Sequence, residues 1–262
     1  KSYEDSAISF SANSIFSITD NLKYSVGYSH VSRSPNMAEL FADGKHGPTN
    51  RYEKGDSNLE REISRNIDLG IDYNLNNTLI SFDIYRNNTN NYIYLRDLGT
   101  TGYDGEHQDA NWSQKDGVIQ GYELSLEKSF LVGNTDVLLM ISRDDISATF
   151  DDNTYVPRIP SASNMIDVTV LGEKNKRYSV NLTHFEKQSD FSSIETATNS
   201  HLDLTMKYSD KIMISNLYDL NINLFASNLL DQTRRNHASF VKAHVPLPGS
   251  SFGFDVSVDY KF

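Results

Sequence analysis

The chain has no cysteine, a single tryptophan and only six prolines among its 262 residues. It also has no apolar run of about 18 residues, so a transmembrane helix is excluded. Membrane strands stay open, because only half of a strand's residues face lipid. The missing cysteines exclude disulfides and thiolate metal sites, a pattern that suits an envelope protein and a cytosolic one equally. No Met or basic-then-apolar leader precedes Lys-Ser-Tyr, which points to a removed signal peptide or to a fragment. Positive charge is also in deficit. With 24 Lys and Arg against 35 Asp and Glu, the net charge is −11. Nucleic acid and anionic lipid surfaces are therefore disfavoured, and cations become the favoured ligands.

What is abundant is Tyr and Phe, at 15 and 13 residues, and they recur in alternation. Phe252, Phe254, Val256, Val258, Tyr260 and Phe262 occupy every second position, with Gly253, Asp255, Ser257, Asp259 and Lys261 between them. The same period of two runs through Leu202, Leu204, Met206 and Tyr208, and through Ile67, Leu69, Ile71 and Tyr73. It predicts β-strands with one apolar and one polar face. A soluble sandwich would alternate in the same way.

Connections separate the two cases. Strands are expected near 5–18, 21–32, 62–74, 77–95, 117–130, 134–148, 158–171, 176–189, 198–209, 219–230 and 251–262. Most are longer than the five or six residues of an ordinary strand. Tight turns such as "TDN", "NLNN", "LVGN" and "GEKN" alternate with longer polar linkers at 33–61, 96–116, 149–157, 190–197 and 231–250. Short turns at one end and long loops at the other are the asymmetry of an outer-membrane barrel, with the loops outside and residues 172–175 in the periplasm. Residues 210–218 make a longer connection than that pattern expects. Tyr24, Tyr92, Tyr94, Tyr178, Tyr208 and Tyr260 fit aromatic girdles at the membrane interfaces. An odd count of about eleven strands does not close a bacterial barrel of this type.

The segments "SRSPNMAELF", "GDSNLEREISRNIDLGIDYN", "FDIYRNNTNNYIYL", "YVPRIPSAS", "FASNLLDQTRRNHASF" and "VPLPGSSFGFDVSVDYKF" together resemble the C-terminal half of a TonB-dependent outer-membrane receptor. The Asn-Leu-Leu-Asp box at 228–231, "RNHASF" and the terminal Phe262 carry most of this likeness. The resemblance implies an all-β transmembrane antiparallel barrel of about 22 strands around a plug. Residues 1–262 would supply the C-terminal part, about 11 strands, with the plug and first strands absent. It further implies active transport in the bacterial outer membrane by a monomeric barrel. Its partners would be TonB, reached through the absent plug, outer-membrane lipid and lipopolysaccharide, and no nucleic acid. No catalytic residue and no resident cofactor is expected.

Within the family, "ELFADGKHGPTN" is most similar to the loop of zinc-uptake receptors, which makes zinc the expected cargo. Imidazole and carboxylate suit zinc chemically. Glycines flank His46 and are expected to let its imidazole meet the Asp43 carboxylate. Glu106 and His107, in "YDGEHQDAN" with Asp104 and Asp109, form a second candidate group. The expected metal ligands are therefore His46, Asp43, Glu106 and His107. The bland alternative makes these solvated loop residues, with Pro35 stiffening the loop, "NMAELF" forming a helical turn, and Glu60 or Glu62 pairing with Arg61 or Arg65. Asp144, Asp145, Asp151 and Asp152 would attract cations or bridge calcium to lipopolysaccharide. His237 and His244 read as scaffolding, while His30, His184 and His201 have no obvious partner. Haem, with His46 as axial ligand, is the second reading, and a ferric siderophore the third. A self-contained passive channel or barrel enzyme of about twelve strands is the alternative of another class, although no Gly-x-Ser-x-Gly element occurs.

Overall fold

The computed structural model describes residues 6–260. The expected first-strand start at residue 5 and the terminal Phe262 fall outside the described residues, as does the side chain of Lys174. In chain order the elements are β1 (Phe10–Thr19), β2 (Leu22–Arg33), α1 (Met37–Phe41), β3 (Asp43–His46), β4 (Arg51–Lys54), β5 (Glu62–Leu75), β6 (Thr78–Asp97) and β7 (Gln108–Val132). They continue with β8 (Thr135–Phe150), β9 (Ser163–Leu171), β10 (Arg177–Phe185), β11 (His201–Met213), β12 (Tyr218–Ser227) and β13 (Ser251–Tyr260).

Strands β1, β2 and β5 to β13 follow one another as antiparallel neighbours in a 13-stranded sheet, with the β3–β4 hairpin off this path. These are the strands expected from alternation, in the expected order. Among the described residues β1 and β13 stand at opposite ends of the order and do not pair with each other. The sheet is therefore open, and in hydrocarbon both edges require backbone partners.

β1 and β13 bury neither face within this sheet. Phe252 and Phe254, each 76% exposed, lie with Val256 and Val258 on one side of β13. Asp255 and Asp259 lie on the other, where they accept hydrogen bonds from Asn223 and Asn221 of β12. An apolar face this exposed is what lipid requires. Tyr178 and Tyr208 pack as tilted rings with centroids 5.0 Å apart, and Tyr218 and Tyr260 likewise at 5.3 Å, at the tight-turn end of the sheet. Tight turns are set by residues that tolerate positive φ: Asn76 and Asn77, at φ 50° and 60°, join β5 to β6.

Several boundaries differ from expectation. The linker read at 96–116 is mostly strand, because β6 runs to Asp97 and β7 starts at Gln108. At ~3.3 Å per residue, the 20 and 25 residues of β6 and β7 extend roughly 65 and 80 Å, far beyond a hydrocarbon core of about 30 Å. Outside lipid nothing demands apolar alternation, so these polar strand ends read as loop. β11 likewise continues to Met213, which leaves a short turn where 210–218 looked long. β9 begins at Ser163 and β10 ends at Phe185, so their loop ends are longer than expected.

Between Thr89 and Tyr92 the β6–β7 register slips by one residue: Thr89 faces Gly117, whereas Tyr92 faces Lys115. Beyond this bulge Tyr92 and Tyr94 share a face with Phe150, Ala148 and Val156 in one buried cluster. Ile93 points the other way and packs with Leu40, Leu59 and Trp112. Tyr92 and Tyr94 are thus loop-core residues and not girdle residues, a correction that follows from the bulge.

Candidate metal-capture site

The expected helical turn forms because Asn36 and Glu39 cap each other. Asn36 Oδ1 accepts from the Ala38 and Glu39 amides at 2.9 and 3.0 Å, and Glu39 accepts from the Asn36 amide at 2.7 Å. Glu39 and Glu62 both bind the Arg33 guanidinium, at 2.9 and 3.1 Å. Glu62 thus pairs with Arg33 across the β2–β5 ladder. Gly55 closes the hairpin against the helix: a Cβ there would lie 2.5 Å from the Leu40 carbonyl carbon.

"GPTN" turns the chain from β3 into β4, with the Asn50 amide donating to the Gly47 carbonyl at 3.1 Å and Asn50 at φ 55°. The register sets Lys45 opposite Tyr52 and His46 opposite Arg51. Residues 43 and 45 then lie on one face and residues 44 and 46 on the other. Asp43 accepts from the Tyr52 hydroxyl at 3.2 Å. His46 instead meets Glu53, its Nδ1 2.8 Å from Oε1, and Thr49 donates to the same oxygen at 2.6 Å. The structure does not bring His46 and Asp43 together, because an offset of three positions on a regular strand sets them on opposite faces. The glycines serve the turn.

β4 adds in parallel to the free edge of β7 at Gln108–Asn111, which carries the hairpin over the loop at 98–107. Lys54 lies 3.7 Å above the Tyr103 ring, and Lys45 reaches Glu106 at 2.8 Å and Asp104 at 3.6 Å. Within that loop Asp104 accepts from the Glu106 and His107 amides at 2.9 and 2.8 Å, and the His107 Nδ1 lies 2.9 Å from its second oxygen. Those amides, together with the His107 ring, hold the Asp104 carboxyl well below the usual carboxylate range. Lys45 lowers Glu106, and Glu106 in turn raises Lys45. Donor atoms of Asp104, Glu106 and His107 all lie within 4.8 Å of one another, a spacing that could hold a metal ion.

Sequence reasoning included Asp104 in this group but missed Glu53, which orients His46, and Lys45, which fills the cluster with an ammonium. The turn signature was the available signal, since pairing 46 with 51 sets 44 beside 53. Asp109 is structural: buried, it accepts from Thr100 Oγ1, the Gly102 amide and the Tyr103 amide at 2.6, 2.6 and 3.0 Å. Asp152 binds Lys115 at 2.5 Å and Asp145 binds Arg143 at 3.0 Å. His30 and His201 stack on Phe10 and Phe185 at 5.3 and 4.8 Å.

Beneath the cluster the loops are tied by charge. Arg51 and Asp97 form a buried pair, Arg158 joins Asp97 at 3.6 Å, and both guanidiniums lie against the Phe240 ring. Lys242, Glu195 and His237 are buried together, with Lys242 Nζ 2.6 Å from Glu195 and 3.1 Å from His237 Nε2. Asn228, wholly buried, donates to the Gln232 and Pro248 carbonyls, so the Asn-Leu-Leu-Asp box is a turn brace. A cavity of about 430 Å³ adjoins this network and is lined in part by Arg51, Glu106, His107 and His244.

A family model described as "TonB dependent receptor-like, beta-barrel" matches residues 1–237. Among solved structures, one titled "Copper transporter OprC" is 16% identical, with a TM-score of 0.79, over 98% of this chain and 40% of that one. The siderophore receptor PirA from Acinetobacter baumannii is 18% identical, with a TM-score of 0.66, over 97% of this chain and 41% of the other. A ferric enterobactin receptor (PfeA) mutant from Pseudomonas aeruginosa, in complex with enterobactin, gives 16%, 0.70, 97% and 40%. The chain thus spans about two fifths of the length of the structures it matches, and at these identities the likeness speaks for the fold.

Proposed function

The chain belongs to the TonB-dependent receptor β-barrel family, whose barrels reside in the bacterial outer membrane, and we propose that it forms the C-terminal half of a plugged, TonB-powered receptor importing a scarce metal, zinc. Proteins of this family are transporters and not enzymes. In this reading the 33–61 and 98–107 segments face the cell exterior and the tight turns face the periplasm. Lipid and lipopolysaccharide then surround the apolar face.

One observation carries the choice of zinc. Two imidazoles on adjoining segments each have Nδ1 tied to a carboxylate, His46 by Glu53 at 2.8 Å and His107 by Asp104 at 2.9 Å. Carboxylate-tied imidazole is the usual state of a metal-ligating histidine, because the tie fixes the tautomer and turns Nε2 outward. Imidazole with Glu106 beside it suits zinc, and the chain has no thiolate to favour copper(I). Haem remains the second reading, favoured by His46, whose half-exposed ring could act as an axial ligand.

Equilibrium dialysis of the intact receptor against Zn²⁺, Cu²⁺ and haem tests this. Zinc affinity should fall at least tenfold in His107→Ala and measurably in His46→Ala, with barrel assembly unchanged. Zinc binding intact in both variants would defeat the reading. Loss of haem binding alone in His46→Ala would reassign the receptor to haem.

A further inference from the structure

Lys242, Glu195 and His237 lie apart from the metal cluster, and their geometry does more than tie loops by charge. Lys242 Nζ is 2.6 Å from Glu195 Oε1, 3.1 Å from His237 Nε2 and 2.8 Å from the His237 carbonyl oxygen. The Lys242 and Glu195 side chains are only 6% and 3% exposed. An ion pair buried this deeply gives up much of its Coulombic gain to desolvation, so a reaction that discharges both groups relieves that cost.

The surroundings are those of an acyl-transfer centre. Glu195 Oε2 accepts from the Arg158 and Ser192 amides at 3.1 and 3.3 Å, and Oε1 accepts from the Arg158 amide at 3.0 Å. Backbone amides in this position stabilise negative charge as it develops on a carbonyl oxygen. The His237 ring is pinned on its other side, with Nδ1 3.1 Å from Thr198 Oγ1. Because Nε2 faces the Lys242 amine, Nδ1 carries the ring proton and donates to Thr198. Burial first, and then Lys242, push His237 down to about 4, which leaves Nε2 free to take a proton. Burial also lowers Lys242 below the ordinary lysine value and so favours its free amine.

We infer that Lys242 and Glu195 condense to an isopeptide bond, with His237 relaying a proton. Lys242 first gives one proton to Glu195 Oε1, leaving a neutral amine beside a carboxylic acid. Nζ then attacks Cδ, the C–N bond forms, and charge gathers on Oε2 beneath the Arg158 and Ser192 amides. His237 Nε2 takes a second proton from Nζ and passes it to Oε1, 3.9 Å away. Oε1 leaves as water while Oε2 re-forms the carbonyl, and the cavity of about 430 Å³ that Glu195 and Lys242 help to line gives the water an exit. Holding the amine against the carboxyl group supplies the high effective concentration that such a condensation needs. The bond joins residues forty-seven apart, in two loops of a chain that has no cysteine for a disulfide. It is independent of the cargo.

Intact-mass spectrometry of the full-length receptor purified from outer membranes is the test, followed by tryptic peptide mapping. The protein should be lighter than its sequence by one water, trypsin should not cut after Lys242, and the peptides carrying Glu195 and Lys242 should be found joined. Lys242→Met should have its full mass. Glu195→Gln should reach the same cross-linked mass as the unsubstituted receptor, with ammonia leaving in place of water. After refolding into detergent, His237→Gln should form the bond at least tenfold more slowly, while gaining the heat-modifiable mobility of a folded barrel as fast as the unsubstituted receptor. Full mass in the folded, unsubstituted receptor, with Lys242 in an unbranched peptide, would overturn the inference, and so would a loss of water that persists in Lys242→Met. An unchanged rate in His237→Gln would overturn the relay.

Discussion

Arg51 and Asp97, forty-six residues apart, meet in a buried fork, with Nε on one carboxylate oxygen at 2.6 Å and Nη2 on the other at 3.1 Å. The fork ties the β3–β4 hairpin to the far end of β6. Removing one partner of such a pair strands a buried charge, which costs about 3–5 kcal/mol. Arg51→Met should therefore release the hairpin, read as faster amide exchange across residues 43–54. Adding Asp97→Leu should restore only part of the protection, because it removes the stranded carboxylate but also takes Asp97 away from the buried Arg158, 3.6 Å from it. Equal exchange in the single and double variants would contradict this.

His237 makes the loop base sensitive to acid. Burial first, and then Lys242, push its pKa down to about 4, while Glu195 opposes them weakly. The ordinary imidazole value is about 6.5, so between these values the unfolded loop binds the proton more readily than the folded one. Stability from this group is complete above about pH 6.5 and is lost as pH falls toward 4. After correction for intrinsic exchange, protection in residues 186–200 and 228–250 should drop by up to about tenfold per pH unit in that window. His237→Gln should flatten the dependence.

Lys45 stands where a cation would bind between Asp104 and Glu106. An exposed ion pair is screened by solvent and contributes little, so displacing the ammonium should cost a metal little but measurably. Lys45→Met should raise zinc affinity of the intact receptor by up to about fivefold. Weakened zinc binding in that variant would show that Lys45 organises the cluster instead of competing for it.

The two faces of β13 should respond oppositely to charge. Val256→Arg places a cation in lipid, at a cost of ~2–4 kcal/mol near the midplane, whereas Ser257→Arg joins Asp255 and Asp259 on the polar face. Folding yield in detergent, scored by heat-modifiable mobility, should fall only for Val256→Arg.

Alternation made the membrane part of the chain legible. Asp255 and Phe252 lie on the faces their spacing requires, because hydrocarbon sorts side chains by polarity one residue at a time. The same rule fails above the membrane. "RDLGTTGYDGEHQDANWSQK" looks like loop from end to end, yet Arg96 and Asn111 are paired strand residues. Arg51 and Asp97, or Glu195 and Lys242, meet through chain topology and leave no local periodicity to read. The candidate cluster was half visible, since Asp104, Glu106 and His107 are sequence neighbours. The pairing of His46 with Glu53 depended on a hairpin register that polar residues do not announce.

The bulge at Thr89–Tyr92 acts on β6 as a frameshift acts on a message. Below it, even-numbered residues such as Phe82 and Ile84 speak to lipid, and above it Tyr92 and Tyr94 answer to the opposite surface. Deleting Asn91 would remove the bulge and keep every rung of the ladder, with Tyr92 still opposite Lys115 and Ile93 opposite Gln114, so each side chain above it would keep its present face. One residue thus decides which parity of the sequence reads as the inner side in the upper part of a single continuous strand.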